Sequence, residues 1–152
     1  MTPNTQAAQV GAEVTLGGQP IKIKPIGLRQ VAEYERWCQQ RTLKVELAAI
    51  DSLPASMRSE WMERARRNAA AVTFGSERMV EVMNTVEGLA QLVAMSIDDR
   101  HGEITGADVL DRITDINELQ IIAEEADRLS FKGAGEAGKS NKPENSQGNT
   151  AL

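Results

Sequence analysis

VTLGGQPIKIKPIGLRQVAEYER, residues 14–36, changes its hydrophobic period partway along, and that change decides the fold. Val14 and Leu16 alternate with polar residues, Gly17-Gly18 supplies the positive φ of a two-residue hairpin turn, and Ile21 and Ile23 continue beyond it. Ile21 and Ile23 face one side of the second strand and Lys22 and Lys24 the other, giving one buried and one wet face. Two strands alone are marginal in water, so this hairpin must lie on helices. From Leu28 the period is helical. Leu28, Val31, Ala32 and Cys38 fall near one face, with Tyr34 and Trp37 at its margins, up to about Arg41.

Downstream the pattern stays helical. A short segment, Leu43–Leu53, places Leu43, Leu47 and Ile50 roughly one turn apart, and Pro54 suits the first turn of a new helix, where its missing N–H costs nothing. Met57, Trp61, Ala65 and Ala69 repeat every four residues until Thr73-Phe74-Gly75 breaks the pattern. Ser76 can cap the next helix, whose stripe runs Met79, Val82, Met83, Val86, Leu89, Val93 and Ile97. Thr105-Gly106-Ala107-Asp108 reads as a capping box, and Asp115-Ile116-Asn117-Glu118 as a second one that restarts a helix carrying Leu119, Ile122, Ala126 and Leu129 to about Ser130. The expected fold is mainly α: a small N-terminal β-hairpin packed on a bundle of four or five helices. Residues 13–130 form that single domain, between a flexible 1–12 and a disordered tail at 131–152 with almost no apolar side chain to offset its ordering entropy.

Composition removes much chemistry. The 152 residues suit one domain, and aromatics are only 3%, so the core rests on Leu, Ile, Val, Met and Ala. One cysteine, Cys38, excludes an intrachain disulfide framework and any Cys-cluster metal site, and there is one histidine, His101. No apolar run approaches the roughly 20 residues of a membrane span, and the N-terminus lacks the regions of a signal peptide, so a cytoplasmic location is expected. Charge is uneven. Residues 28–78 hold nine Lys/Arg against seven Asp/Glu, whereas residues 79–131 hold three against twelve. Such an acidic half reads first as a solvated helix surface; the alternative is a face that repels nucleic acid and attracts a basic protein surface.

Candidate sites are few. SIDDRHGEITGAD resembles a calcium loop, but setting Gly102 at the sixth position puts Ile97 at the first, where an acidic ligand belongs. His101 lies beside Asp98, Asp99 and Glu103, yet no second His or Cys is there to complete a metal site, and the stretch suits a chain reversal. Cys38 sits on the apolar side of its helix and reads as a core thiol. No GxSxG, Walker A, dinucleotide-binding or HExxH motif occurs, so neither catalysis nor a cofactor is expected. Arg58, Arg64, Arg66 and Arg67 form the only basic cluster, with Glu60 and Glu63 among them as i,i+4 partners; it reads as a solvated face, with protein docking or a nucleic-acid groove as the alternatives. Met57, Met62, Met79, Met83 and Met95 fit either a plain core or an adaptable groove for apolar helices.

Residues 14–36 resemble the start of phage tail assembly chaperones. Members of that family open with a short β-hairpin and then a Pro-apolar-x-Leu/Arg junction into a helix with acidic residues. The matching parts are Gly17-Gly18, Pro25-Ile26-Gly27-Leu28-Arg29, and Glu33 with Glu35. The helical remainder to about Ser130 is similar in size and order. The resemblance implies a non-enzymatic protein of the host cell cytoplasm. It would bind the long helical tape-measure protein, keep it soluble, help recruit tail-tube subunits and leave before the virion is complete. Such families often make an extended product by frameshifting, and 132–152 would suit that junction. The implied partners are the tape-measure protein and the tail-tube protein, with a homo-oligomer left open and neither nucleic acid nor membrane expected. The family transfers no catalytic residue; the tentative partner-binding surface is Met79, Met83, Val86 and Leu89. Two other classes remain open, a structural subunit of a tail or connector and a small DNA-binding module using the Arg58–Arg67 helix.

Overall fold

A computed structural model of the chain describes residues 11–98 and 104–132. It is mainly helical, with the hairpin at its N-terminal end. Strands β1 (Ala12–Leu16) and β2 (Gln19–Ile23) pair antiparallel with Val14 opposite Ile21 and Leu16 opposite Gln19. Gly17 and Gly18 carry φ of 58° and 82°, which side chains with a Cβ rarely adopt, so the turn follows from its two glycines. Leu16 and Ile23 are buried, Val14 and Ile21 half-buried and Lys22 exposed, the alternation the sequence requires.

Helix α1 spans Leu28–Leu47, without the break expected near Arg41. Thr42, at that point, bonds its hydroxyl back to the Cys38 carbonyl at 2.9 Å, so its polar group is satisfied inside the helix. Its inward face also differs from expectation. Tyr34 and Cys38 are buried, whereas Leu28 is 89% exposed and Ala32 lies outward. The Tyr34 hydroxyl donates to the Gly88 carbonyl at 2.8 Å, and this distant partner lets a polar aromatic stand at the centre of the face.

A short 3₁₀ turn (Ile50–Ser52) leads through Pro54 into α2 (Ala55–Ala70). This helix buries only Ala65 and Ala69 and packs on the second half of α1 as a two-helix arm, with Trp61 Nε1 donating to the Glu46 carbonyl at 2.8 Å. Gly75 ends the connection, and Ser76 caps α3 (Glu77–Met83) by accepting the Met79 N–H at 3.1 Å.

The long helix expected from Met79 to Ile97 is two helices. Helix α4 (Val86–Ser96) begins at Thr85, whose Oγ1 accepts the Gly88 N–H at 3.0 Å and donates to the Val82 carbonyl at 2.6 Å. An uninterrupted apolar stripe concealed an N-cap threonine. This break takes the count of α-helices among the described residues to six, above the four or five expected. Beyond α4 the chain extends along β2: Ile97 bridges Ile23, Lys24 N–H donates to the Ser96 carbonyl and Asp98 N–H to the Lys22 carbonyl, both at 2.8 Å.

The Thr105–Asp108 capping box forms as expected and starts α5 (Gly106–Arg112), holding the Asp108 carboxyl below its ordinary range through hydrogen bonds from Thr105. Helix α6 (Ile116–Asp127) starts at Asp115, which accepts the Asn117 N–H at 3.0 Å. Glu118 is not a box partner here; its carboxylate accepts the Gly17 N–H at 2.6 Å and straps the hairpin turn to α6. The path continues as a π-helical turn, Arg128–Lys132, so Phe131 packs partly buried against the core with the domain. Ser130 Oγ accepts the Ile26 N–H at 3.1 Å, tying this end to the hairpin–helix junction. One core joins hairpin, α1, α3, α4, α5 and α6, centred on Ile23, Tyr34, Leu92, Val93, Val109, Leu119 and Ile122. Of the end segments expected at 1–12 and 131–152, Ala12 belongs to β1 and Phe131 and Lys132 to the π-helical turn, while residues 1–10 and 133–152 lie outside the described residues.

Candidate functional site

The four residues expected to form a partner surface divide on folding. Met79 is 2% exposed and belongs to the core, so it offers nothing to a docking partner. Met83 and Leu89 are half-buried, and Val86 is 47% exposed. Met83 and Leu89 line a groove of about 690 Å³ between α3, α4 and α6, with Val80, Leu92 and Ala123. Asn84, Gln120, Glu124 and Asp127 complete its walls.

The break between α3 and α4 creates this groove. Met83 closes α3 and Leu89 lies in the first turns of α4, so the groove spans the Thr85 break between the two helices. Gly88 makes the elbow tight. A Cβ there would stand 2.0 Å from the Val82 carbonyl oxygen, so the two backbones meet at a distance only glycine allows. Along α6, Gln120, Ala123, Glu124 and Asp127 repeat at three and four residues and form one wall, while Leu119, Ile122 and Ala126 turn into the core. At the end where α3 begins and α6 finishes, Phe74 and Phe131 meet with ring centroids 5.9 Å apart. Val86 and Ile116, 47% and 46% exposed, stand one turn before Leu89 and Gln120 at the other end.

Sequence periodicity locates Met83 and Leu89 but misses Val80, Leu92 and the α6 wall. Leu92 shares the α4 stripe three residues after Leu89, which was the available signal. The wall on α6 has no local signal, because its partners lie about thirty residues or more earlier.

The remaining candidates are structural or lie outside the described residues. Cys38 is fully buried, and burial pushes its thiol up to about 11, the reverse of an activated nucleophile. Burial likewise raises the Tyr34 hydroxyl well above its usual range. His101 and residues 99–103 of the suspected calcium loop are not described, and no metal-holding cluster occurs among the described residues. Arg58 donates to the Leu53 and Asp51 carbonyls, closing the turn before α2, and Arg64 lies over the Trp61 ring, 5.7 Å from its centroid. Of the methionines, Met57 is 52% exposed on the arm, Met62 and Met95 are half-buried and only Met83 borders the groove. A second cavity, about 670 Å³, has walls that include Lys24, Gln30, Arg36 and Trp37; Lys24 pairs with Asp98 at 3.2 Å and Gln30 donates to the Met95 carbonyl.

Among the described residues no helix is long and apolar enough to cross a membrane. Comparison of the chain with protein-family models, curated proteins and solved structures finds no match.

Proposed function

We propose that this protein is a non-enzymatic phage tail assembly chaperone. It acts in the host cell cytoplasm, holding helical segments of the tape-measure protein in solution and helping tail-tube subunits join them. The observation that supports this reading is the groove bordered by the exposed Val80 and the half-buried Met83 and Leu89, over a base formed by the buried Leu92 and Ala123. A partner helix laid there would bury its own apolar stripe, and each well-buried aliphatic side chain would contribute roughly 1.5–3 kcal/mol before the costs of association. Two or three such anchors give moderate affinity, suited to a holder that must leave. The hairpin–helix opening at residues 14–36 supports the same reading through its resemblance to that family.

Co-expression with the candidate tape-measure protein, followed by size-exclusion chromatography with light scattering, tests the proposal. A soluble complex, with the partner insoluble alone, is the expected outcome. Met83→Glu should abolish capture while leaving helix content intact by circular dichroism. Absence of a complex, with this protein instead forming rings or tubes alone, would transfer the assignment to a structural tail or connector subunit. Salt-sensitive retention on DNA without tape-measure capture would transfer it to the Arg58–Arg67 helix.

A further inference from the structure

Resting on that docking reading, we propose that the segment accepted by the groove is an amphipathic helix whose apolar stripe is flanked by Lys or Arg. The groove's lining residues include two carboxylates, Glu124 and Asp127, and no cation. They stand three residues apart on α6, hence on neighbouring positions of one face. The three helices that form the groove carry seven acidic residues and one basic residue, Arg78. Some of that charge is engaged: Glu87 pairs with Arg41 at 2.8 Å, Glu125 pairs with Arg128, and Glu118 holds Gly17. Glu124, at the rim, forms no ion pair among the described residues.

Charge complementarity then selects the occupant. A helix seated over Val80, Met83 and Leu89 strips water from Glu124, and an uncompensated carboxylate opposes that step. A Lys or Arg beside the partner's apolar stripe restores the lost solvation as a charge-assisted hydrogen bond. An acidic flank adds like-charge repulsion instead. From Gln120 to Asp127 the α6 wall rises roughly 10 Å, so an occupant of about two turns spans the groove with apolar residues at i, i+3 or i+4, and i+7. The chain's own basic helix is a poorer match, because the face of α2 turned away from α1 carries Ser59, Glu63 and Arg66 rather than an apolar stripe.

Three labelled peptides with one apolar stripe and Lys, Glu or Ser flanks, titrated by fluorescence anisotropy against the full chain, test the selection. At low salt the Lys-flanked helix should bind about tenfold tighter than the Glu-flanked one, and the gap should narrow to about twofold at 0.5 M NaCl. Glu124→Lys combined with Asp127→Lys should invert the order. Val80→Asn, at an exposed groove position and therefore tolerated by the fold, should weaken all three. Equal affinities, each still lost with Met83→Glu, would overturn the charge selection and leave the docking reading standing. No peptide binding while the tape-measure protein is still captured would overturn the selection and move docking off this groove. Light scattering that finds self-association abolished by Val80→Asn would make a second copy the occupant, and would also overturn it.

Discussion

Gly88→Ala provides a sharp test of the α3–α4 elbow, because two physical effects oppose each other there. In an ordinary helix the change stabilises, since alanine outranks glycine by roughly 1 kcal/mol. Here the added Cβ would lie 2.0 Å from the Val82 oxygen and 2.9 Å from its carbon, whereas contacts under 3.0 Å essentially do not occur. Both sides of the contact are backbone, so no side chain can rotate away. The helices must separate by about 1 Å, a strain comparable to overpacking a core, about 1–3 kcal/mol. The shift also pulls the Gly88 carbonyl from the Tyr34 hydroxyl, a buried bond with a net contribution of about 1 kcal/mol. After subtracting the helix gain, the variant should lose about 1–3 kcal/mol. Urea unfolding followed at 222 nm should show the midpoint falling by about 1–2 M. Gly27→Ala, where a Cβ meets nothing within 4 Å, is the control and should move stability by less than about 1 kcal/mol. A Gly88→Ala midpoint at or above that of the wild type would refute the reasoning.

Three further outcomes follow from other parts of the fold. Glu118→Gln weakens the strap to Gly17 and should cost about 1 kcal/mol, whereas Gly17→Ala should cost more, because φ is 58° and the new Cβ would meet the Arg112 carbonyl oxygen at 2.3 Å; chemical denaturation of both variants ranks them. Burial keeps the Cys38 thiol protonated up to about 11, while an unfolded cysteine ionises near roughly 8.5. Cys38 therefore contributes its full stability below about pH 8.5 and loses it as pH rises through about 11, and Cys38→Ala should flatten the first part of that decline in urea midpoints measured from pH 7 to 10. Trp61→Ala removes the bond to Glu46 and much of the arm's packing, so amides of α2 should exchange with solvent well before those of α4 and α6, and uniform exchange across all helices would contradict a separable arm.

Local chemistry was legible in the sequence, and distant pairing was not. The glycine turn, Pro54 ahead of α2, the Ser76 cap and the Thr105–Asp108 box each depend on residues within a few positions, and each forms. The elbow was missed because Thr85 sits inside a stripe regular enough to read as one helix, although Thr-Val-Glu-Gly carried a capping signal. The stripe of Leu28, Val31, Ala32 and Cys38 leaves Tyr34 at its margin; what lets Tyr34 turn inward is a carbonyl 54 residues away that accepts its hydroxyl. Glu118 fitted a local box, yet a turn amide 101 residues distant claims its carboxylate. Half of the groove was visible for the same reason. Met83 and Leu89 lie on the apolar stripe, but only the packing of α6 across them gives the site a second wall.

The residues that follow α4 also settle how the sheet ends. A two-stranded hairpin exposes unpaired amides and carbonyls along both outer margins, and such margins can template another chain into a growing cross-strand stack. Here the backbone of residues 96–98 engages the Lys24 N–H and the Lys22 carbonyl on the free side of β2. That end of the margin is covered against strand addition. Loosening the 96–98 crossing would reopen it, and the first visible damage would be aggregation rather than loss of helix.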